Sequence, residues 1–385
     1  MTSPIKLITV VGARPQIIKA AAISRAISKG FGDRISETIL HTGQHYDANM
    51  SRVFFDELGV PDADVQLNVG SGSHGVQTAR MIEGIEAQLL NERPDAVLLY
   101  GDTNSTLAGA VAAAKLHIPV AHVEAGLRSW NKAMPEEINR ITCDHCSTWL
   151  FCPTDTGVQN LLREGFSGQP HSKPTANKPV VHMVGDVMFD NSLHFADLAA
   201  SRSTVLNDLG LRGDDFLLVT VHRDHNTDIA QQLNGIFSAL LDVAERHSLA
   251  VVLPVHPRLK KCIDTVMDGT LQRRVRSSKW MKLMPPAGFL DMIMLERHAR
   301  LVLTDSGGVQ KEAFFFGKPC VILRPETEWV ELVQHGQAVL AGADPHLIVS
   351  GADRFLRTGR PECPPLFGDG RAADRVCDIL VRDLV

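Results

Sequence analysis

The chain has 385 residues, which at about 150 residues per domain makes two or three domains and excludes one small module. Hydrophobic residues supply 44% and charged residues 22%, enough to bury large cores and too little polar excess for a disordered chain. Lys and Arg number 39 against 44 Asp and Glu, a net charge of −5, so no global basic field draws in nucleic acid or acidic membrane and an anionic ligand must be met locally.

Residues 1–6 lead directly into a strand with no signal-peptide core, and no stretch reaches the roughly 18–20 apolar residues that cross a bilayer. The expected location is the cytoplasm. Residues 7–11 read as a buried strand, 12–15 as its turn and 16–28 as a helix. Further strands are expected at 39–41, 96–100, 120–123, 149–152 and 180–184, with an Ala-rich helix at 106–115 and a loop at 166–178. Strands alternating with helices make a parallel sheet. A second alternating unit follows: strands at 216–221, 250–255, 301–304 and 319–323, a helix at 228–247, and a last helix near 370–384. The fold class is therefore α/β, with two doubly wound parallel sheets and a central cleft between them. Seven cysteines between Cys143 and Cys377 form no disulfide framework. The pair Cys143 and Cys146 lacks the further ligands of a closed zinc site, so helix packing is expected there and no metal.

Ligands of open parallel sheets bind at the carboxyl ends of the strands, and the polar clusters fall there. Strand 7–11 ends in Gly12-Ala13-Arg14-Pro15, a close-approach turn with a bidentate cation at a helix start. It is neither a dinucleotide fingerprint nor a Walker loop. Strand 96–100 ends in Gly101-Asp102-Thr103, where Asp102 would serve either as a helix N-cap or as an acid facing the cleft. Glu124 follows strand 120–123 directly and needs a partner to be buried. Glu136 and Glu137 open a helix after Pro135, where the macrodipole alone would favour them. In the second half, His222 and Arg223 end one strand, and His256 and Arg258 the next. Asp305-Ser306-Gly307-Gly308 opens a helix as a phosphate-holding turn does, with Glu312 placed to accept from a ribose diol.

Taken in order, these clusters resemble the non-hydrolysing UDP-N-acetylglucosamine 2-epimerase family. The matching stretches are Gly12-Ala13-Arg14-Pro15-Gln16-Ile17-Ile18-Lys19, Thr42-Gly43-Gln44-His45, Gly101-Asp102-Thr103, His122-Val123-Glu124-Ala125-Gly126-Leu127-Arg128, Pro135-Glu136-Glu137-Ile138-Asn139-Arg140, Thr220-Val221-His222-Arg223 and Leu303-Thr304-Asp305-Ser306-Gly307-Gly308-Val309-Gln310-Lys311-Glu312. The resemblance implies two Rossmann-like lobes of the glycosyltransferase-B type. They would span residues 1–184 and 185–365, with residues 366–385 forming a helix that packs back on the first lobe. It also implies a homodimer, UDP-sugar and UDP as the partners, and no cofactor. Gln44-His45-Tyr46-Asp47, Gln77 and Glu326-Thr327-Glu328-Trp329-Val330-Glu331 look like the branch acting on UDP-2,3-diacetamido-2,3-dideoxyglucuronate, a precursor of surface polysaccharide. There Trp329 would pack on a 3-acetamido methyl, and Arg14, Arg128, Arg140 or Arg258 would meet the 6-carboxylate. His225 stands where family members commonly carry Glu.

By that resemblance a base removes the C2 proton as UDP leaves C1, and UDP adds back after the proton returns to the other face. Asp102, Glu124 and Glu136 would be the acid/base groups, with His222 beside the diphosphate. Arg14, Ser306, Gly307 and Gly308 would hold phosphate and Glu312 the ribose, while Lys19, Arg140, His256 and Arg258 would orient acids or sugar. A hydrolysing epimerase and a glycosyltransferase of the same fold remain open, because fold does not fix function.

Overall fold

The structure is a computed structural model that describes residues 3–44, 62–167, 173–211 and 216–385. It divides into two compact units, Met1–Asn191 with Pro365–Val385, and Ser192–Pro364.

The first unit is built on seven parallel strands: β1 (Ile5–Val11), β2 (Ile35–His41), β3 (Val65–Gln66), β4 (Ala96–Tyr100), β5 (Val120–Val123), β6 (Trp149–Cys152) and β7 (Val180–Met183). Their order is β3-β2-β1-β4-β5-β6-β7. The central strands are continuous apolar runs because helices cover both sheet faces; every residue of β4, β5 and β6 is buried. The chain leaves β1 in one direction and crosses to β4 in the other, so the switch point lies between these two strands, with β5 next to β4. Cys143 is fully buried in the core under this sheet with Cys146 packed against it, and both are free thiols.

The second unit repeats the plan with six parallel strands: β8 (Phe216–Thr220), β9 (Ala250–Pro254), β10 (Met281–Met284), β11 (Leu301–Thr304), β12 (Cys320–Ile322) and β13 (Ala338–Leu340). The order β10-β9-β8-β11-β12-β13 puts the switch point between β8 and β11. Two parallel-sheet α/β lobes are what the alternation of elements predicts. Strands β3, β10 and β13 are absent from the sequence reading. All three are sheet edges, two to four residues long, and a half-exposed edge carries no continuous apolar run to read.

The final helix, Ala372–Leu384, packs on the helix Arg14–Ala26 of the first unit. Trp149 Nε1 donates to Asp383 Oδ2 at 2.9 Å. At the other end of this helix the Asp190 carboxylate accepts from the N–H groups of Ala372 at 3.1 Å and Ala373 at 2.8 Å. Burial raises the Asp190 carboxyl to about 6 against the pull of those two bonds, with Asp186 and Asp374 adding to the rise. From an ordinary value near 4, this group binds its proton more tightly folded than unfolded. Its contribution is therefore fully present below about pH 4 and is lost as pH rises through about 6, about 3 kcal/mol in all. Asp190→Asn keeps an acceptor and cannot titrate. Its melting temperature should exceed that of the wild type at neutral pH and converge with it toward acid; an unchanged pH profile of melting would remove Asp190 from this role.

Candidate functional site

At the first switch point, the turn after β1 is closed by Gln16. Its Oε1 accepts from the N–H groups of Gly12 and Ala13 at 2.9 and 3.1 Å, and its Nε2 donates to the Tyr100 carbonyl at 2.9 Å, tying the end of β1 to that of β4. Gly12 is needed there: a Cβ would fall 2.1 Å from Ser105 Oγ and 2.2 Å from Thr42 Oγ1.

Asp102 is not the N-cap of the helix Asn104–Lys115; Thr103 is, its Oγ1 accepting from Thr106 N–H. The Asp102 carboxylate instead pairs with Arg140, which also reaches Glu137 at 3.1 Å. Asn139 donates to the Asp102 carbonyl at 2.9 Å. Glu124 pairs with Lys19, and the two lie against Gly101, where a Cβ would be 3.2 Å from both Glu124 Oε2 and Lys19 Nζ. Glu124 has φ +74°, a left-handed backbone that costs a side-chain-bearing residue about 1–3 kcal/mol and gathers at functional sites. Two partly buried carboxylates, each paired with a cation, thus stand at the ends of adjacent strands β4 and β5.

The helix Pro135–Cys146 separates its two leading acids. Glu136 is exposed at the N-terminus. Glu137 is buried and accepts from the N–H groups of Ser129 and Trp130, both at 2.9 Å, so it shapes the preceding loop. Arg128, offered by the sequence as a cation for a ligand carboxylate, is not available: its side chain is wholly buried, 2.7 Å from Asp144 and 2.7 Å from Glu164. The side chain of Arg14 and residues His45, Tyr46 and Asp47 lie outside the described residues.

At the second switch point Asp305 is the centre. It is fully buried and accepts from the N–H groups of His222 and Arg223, both at 3.0 Å, from Asn226 Nδ2 at 3.0 Å, and from His222 Nδ1 at 2.8 Å. Burial would raise its carboxyl, but the bonds from His222, Arg223 and Asn226 outweigh it and hold it below the usual range. An ionised carboxylate only accepts, so His222 Nδ1 carries a hydrogen and Nε2 is the outward ring nitrogen. In the sequence Asp305 marks only the start of the turn; an acid set between an apolar strand and Ser-Gly-Gly is the signal that points to this role. His225 Nδ1 lies 3.0 Å from Asn226 Oδ1, so the departure at that position joins the same network.

Ser306 caps the helix Gly307–Phe315, its hydroxyl accepting from Val309 N–H. The first turn of a helix has N–H groups without helical carbonyl partners, and exposed Gly308 lets an anion approach them. Glu312 Oε2 would be 4.0 Å from a Cβ on Gly308, so it belongs to the same turn. Trp329 is 6% exposed; its Nε1 donates to the Gly307 carbonyl at 3.0 Å and Lys311 lies over its ring at 4.2 Å. It braces the turn from below and leaves almost no ring surface for a ligand methyl. His256 is exposed as N-cap of the helix Pro257–Thr265, and Arg258 is held by Asp224 and, at 2.6 Å, by Asp228. Among the described residues no group of three or more His, Cys, Asp or Glu could hold a metal ion, and no helix is long and apolar enough to cross a membrane.

Two Rossmann-like sheets, each with ionisable groups beside its switch point and one with an anion-ready helix start, define the two-lobed α/β class of nucleotide-binding folds. The profile of the UDP-N-acetylglucosamine 2-epimerase family matches residues 31–381, and the chain belongs to that family as an isomerase of that type. It is 48% identical to the UDP-2,3-diacetamido-2,3-dideoxy-D-glucuronate 2-epimerase of Pseudomonas aeruginosa, over 98% of this chain and 99% of that protein. A UDP-N-acetylglucosamine 2-epimerase homolog of Methanococcus maripaludis is 44% identical, over 97% and 99%. The crystal structure of Methanocaldococcus jannaschii UDP-GlcNAc 2-epimerase in complex with UDP-GlcNAc and UDP superposes with a TM-score of 0.79 at 40% identity, covering 98% of this chain and 99% of that one.

Proposed function

We propose that the chain inverts C2 of UDP-2,3-diacetamido-2,3-dideoxy-D-glucuronate without hydrolysis, supplying a precursor of surface polysaccharide in the cytoplasm as a homodimer. The end-to-end 48% identity to an enzyme of that name carries the choice of substrate. The C2 hydrogen of such a sugar is not adjacent to a carbonyl and is weakly acidic, so the reaction goes by elimination. A carboxylate takes the C2 proton while the C1–O bond to UDP breaks, leaving a glycal. A proton then returns to the opposite face of C2 and UDP re-forms the C1–O bond.

Asp102, Glu124 and Glu136 are the proton-transfer groups. Lys19 and Arg140 pair with Glu124 and Asp102 and hold them in place, as a positioned base requires. The helix start at Ser306, Gly307 and Gly308, with Arg14, holds the diphosphate; His222, oriented by Asp305, offers Nε2 to the departing phosphate; Glu312 accepts from the ribose. His256 and Arg258 line the neighbouring strand end.

UDP-N-acetylglucosamine is the second reading, favoured by the burial of Trp329, which removes the contact expected for a 3-acetamido methyl. Both sugars, incubated separately in D2O on one preparation, should distinguish the two. The diacetamido-uronate is expected to give its epimer carrying deuterium at C2, with the higher kcat/KM. Equal or better turnover of UDP-N-acetylglucosamine would replace the substrate and keep the epimerase; release of free sugar would replace the non-hydrolytic route.

A further inference from the structure

His122, in β5, has no exposed surface. Its Nδ1 lies 2.6 Å from Asp144 Oδ1 and its Nε2 lies 2.8 Å from the Gly101 carbonyl oxygen. A backbone carbonyl only accepts. Asp144, equally buried, receives Arg128 at 2.7 Å and the Gly126 N–H at 3.2 Å on its other oxygen; a proton on this carboxyl would forfeit its pairing with Arg128. Each ring nitrogen of His122 therefore carries a hydrogen, and a ring with both is an imidazolium.

We propose that His122 is a permanently protonated positioning residue, which grips the Gly101 carbonyl and so fixes the Asp102 turn with a positive charge behind Asp102 and Glu124. Gly101 has φ +59° and packs against the Glu124–Lys19 pair. The turn is thus held at three points, by His122 on Gly101 and by Asn139 and Arg140 on Asp102. The charges facing the ring balance. Asp144 and the Cys143 thiol approach from the helix Pro135–Cys146, Arg128 stands behind Asp144, and Glu164 stands behind Arg128. Burial works against the imidazolium, but Cys143 and Asp144 outweigh it and hold His122 well above the ordinary histidine value.

The consequence for catalysis rests on the acid/base roles proposed for Asp102 and Glu124; the protonation state does not. In ¹⁵N-histidine-labelled wild-type protein, both ring nitrogens of His122 should resonate in the protonated range at about pH 8, well above the ordinary histidine value. A neutral tautomer there would overturn the proposal. In His122→Asn, kcat should fall by about 10²-fold while KM stays within about threefold, as for a displaced catalytic turn. The acid limb of its pH–rate profile should move upward, because a cation has left the neighbourhood of the carboxylates. A folded variant with wild-type kcat and pH profile would also overturn it. If the variant does not fold, the wild-type resonances decide alone. They also read out in a protein that turns over no UDP-sugar, a result that would sink the epimerase reading instead.

Discussion

Glu124→Gln should lower kcat for C2 epimerisation by about 10²-fold or more, as expected for a lost proton transfer, while UDP still binds. The substitution is nearly isosteric, so the left-handed backbone at φ +74° and the bond that its N–H donates to the Phe151 carbonyl persist. What disappears is the negative charge opposite Lys19, in a pair whose side chains are 14% and 11% exposed. A cation left unpaired at that depth costs about 1–3 kcal/mol, so the melting temperature should fall by a few degrees without loss of the fold. Deuterium incorporation at C2 gives the direct reading. Exchange at the wild-type rate would take Glu124 out of the proton-transfer set.

Asp305→Asn should be as damaging through a different route. Every group aimed at the Asp305 carboxylate is a donor: two N–H groups of the main chain, the Asn226 amide and His222 Nδ1. An asparagine brings an amide nitrogen that itself needs an acceptor and finds none. A buried mismatch of this kind costs about 1–3 kcal/mol. The His222 ring is freed to take the other tautomer, and in a comparable Asp–His arrangement that change lowers turnover by about 10⁴-fold. The expected result is a loss of about 10²- to 10⁴-fold in kcat, with weaker UDP binding in titration calorimetry. A variant that stays within a few-fold of wild type would show that His222 needs no orienting partner.

The sequence is most legible where burial is complete. β4, β5, β6 and β8 read directly as apolar runs, and the groups that follow them are at strand ends by necessity. The edges β3, β10 and β13 are illegible because one side faces water and the runs are short; Met-Lys-Leu-Met in β10 carries no alternation. In the site, the residue types at the strand ends were legible but their partners were not. Nothing local to Lys19 announces Glu124, 105 residues on, nor does Arg128 announce that it is spent on Asp144 and Glu164. Glu136 and Glu137 look alike in the sequence, and only the Ser129–Trp130 loop folding over the helix start distinguishes them. The sequence around Trp329 predicts a wall of the ligand site; its indole N–H, drawn to the Gly307 carbonyl, turns it inward.

The clasp of Asp190 on residues 372 and 373 dictates an order of assembly. The first unit is made of two separated stretches, Met1–Asn191 and Pro365–Val385, whereas the second is one uninterrupted segment between them. During synthesis, N-terminal segments emerge first and domains fold as units. Here the unit begun first is completed only after the second: the second can complete its sheet on the ribosome, while Trp149 and the flank of the helix Arg14–Ala26 wait for the helix Ala372–Leu384 to leave the exit tunnel. Loss of the helix Ala372–Leu384 would therefore fall on the unit translated earlier, leaving its apolar flank open to chaperones.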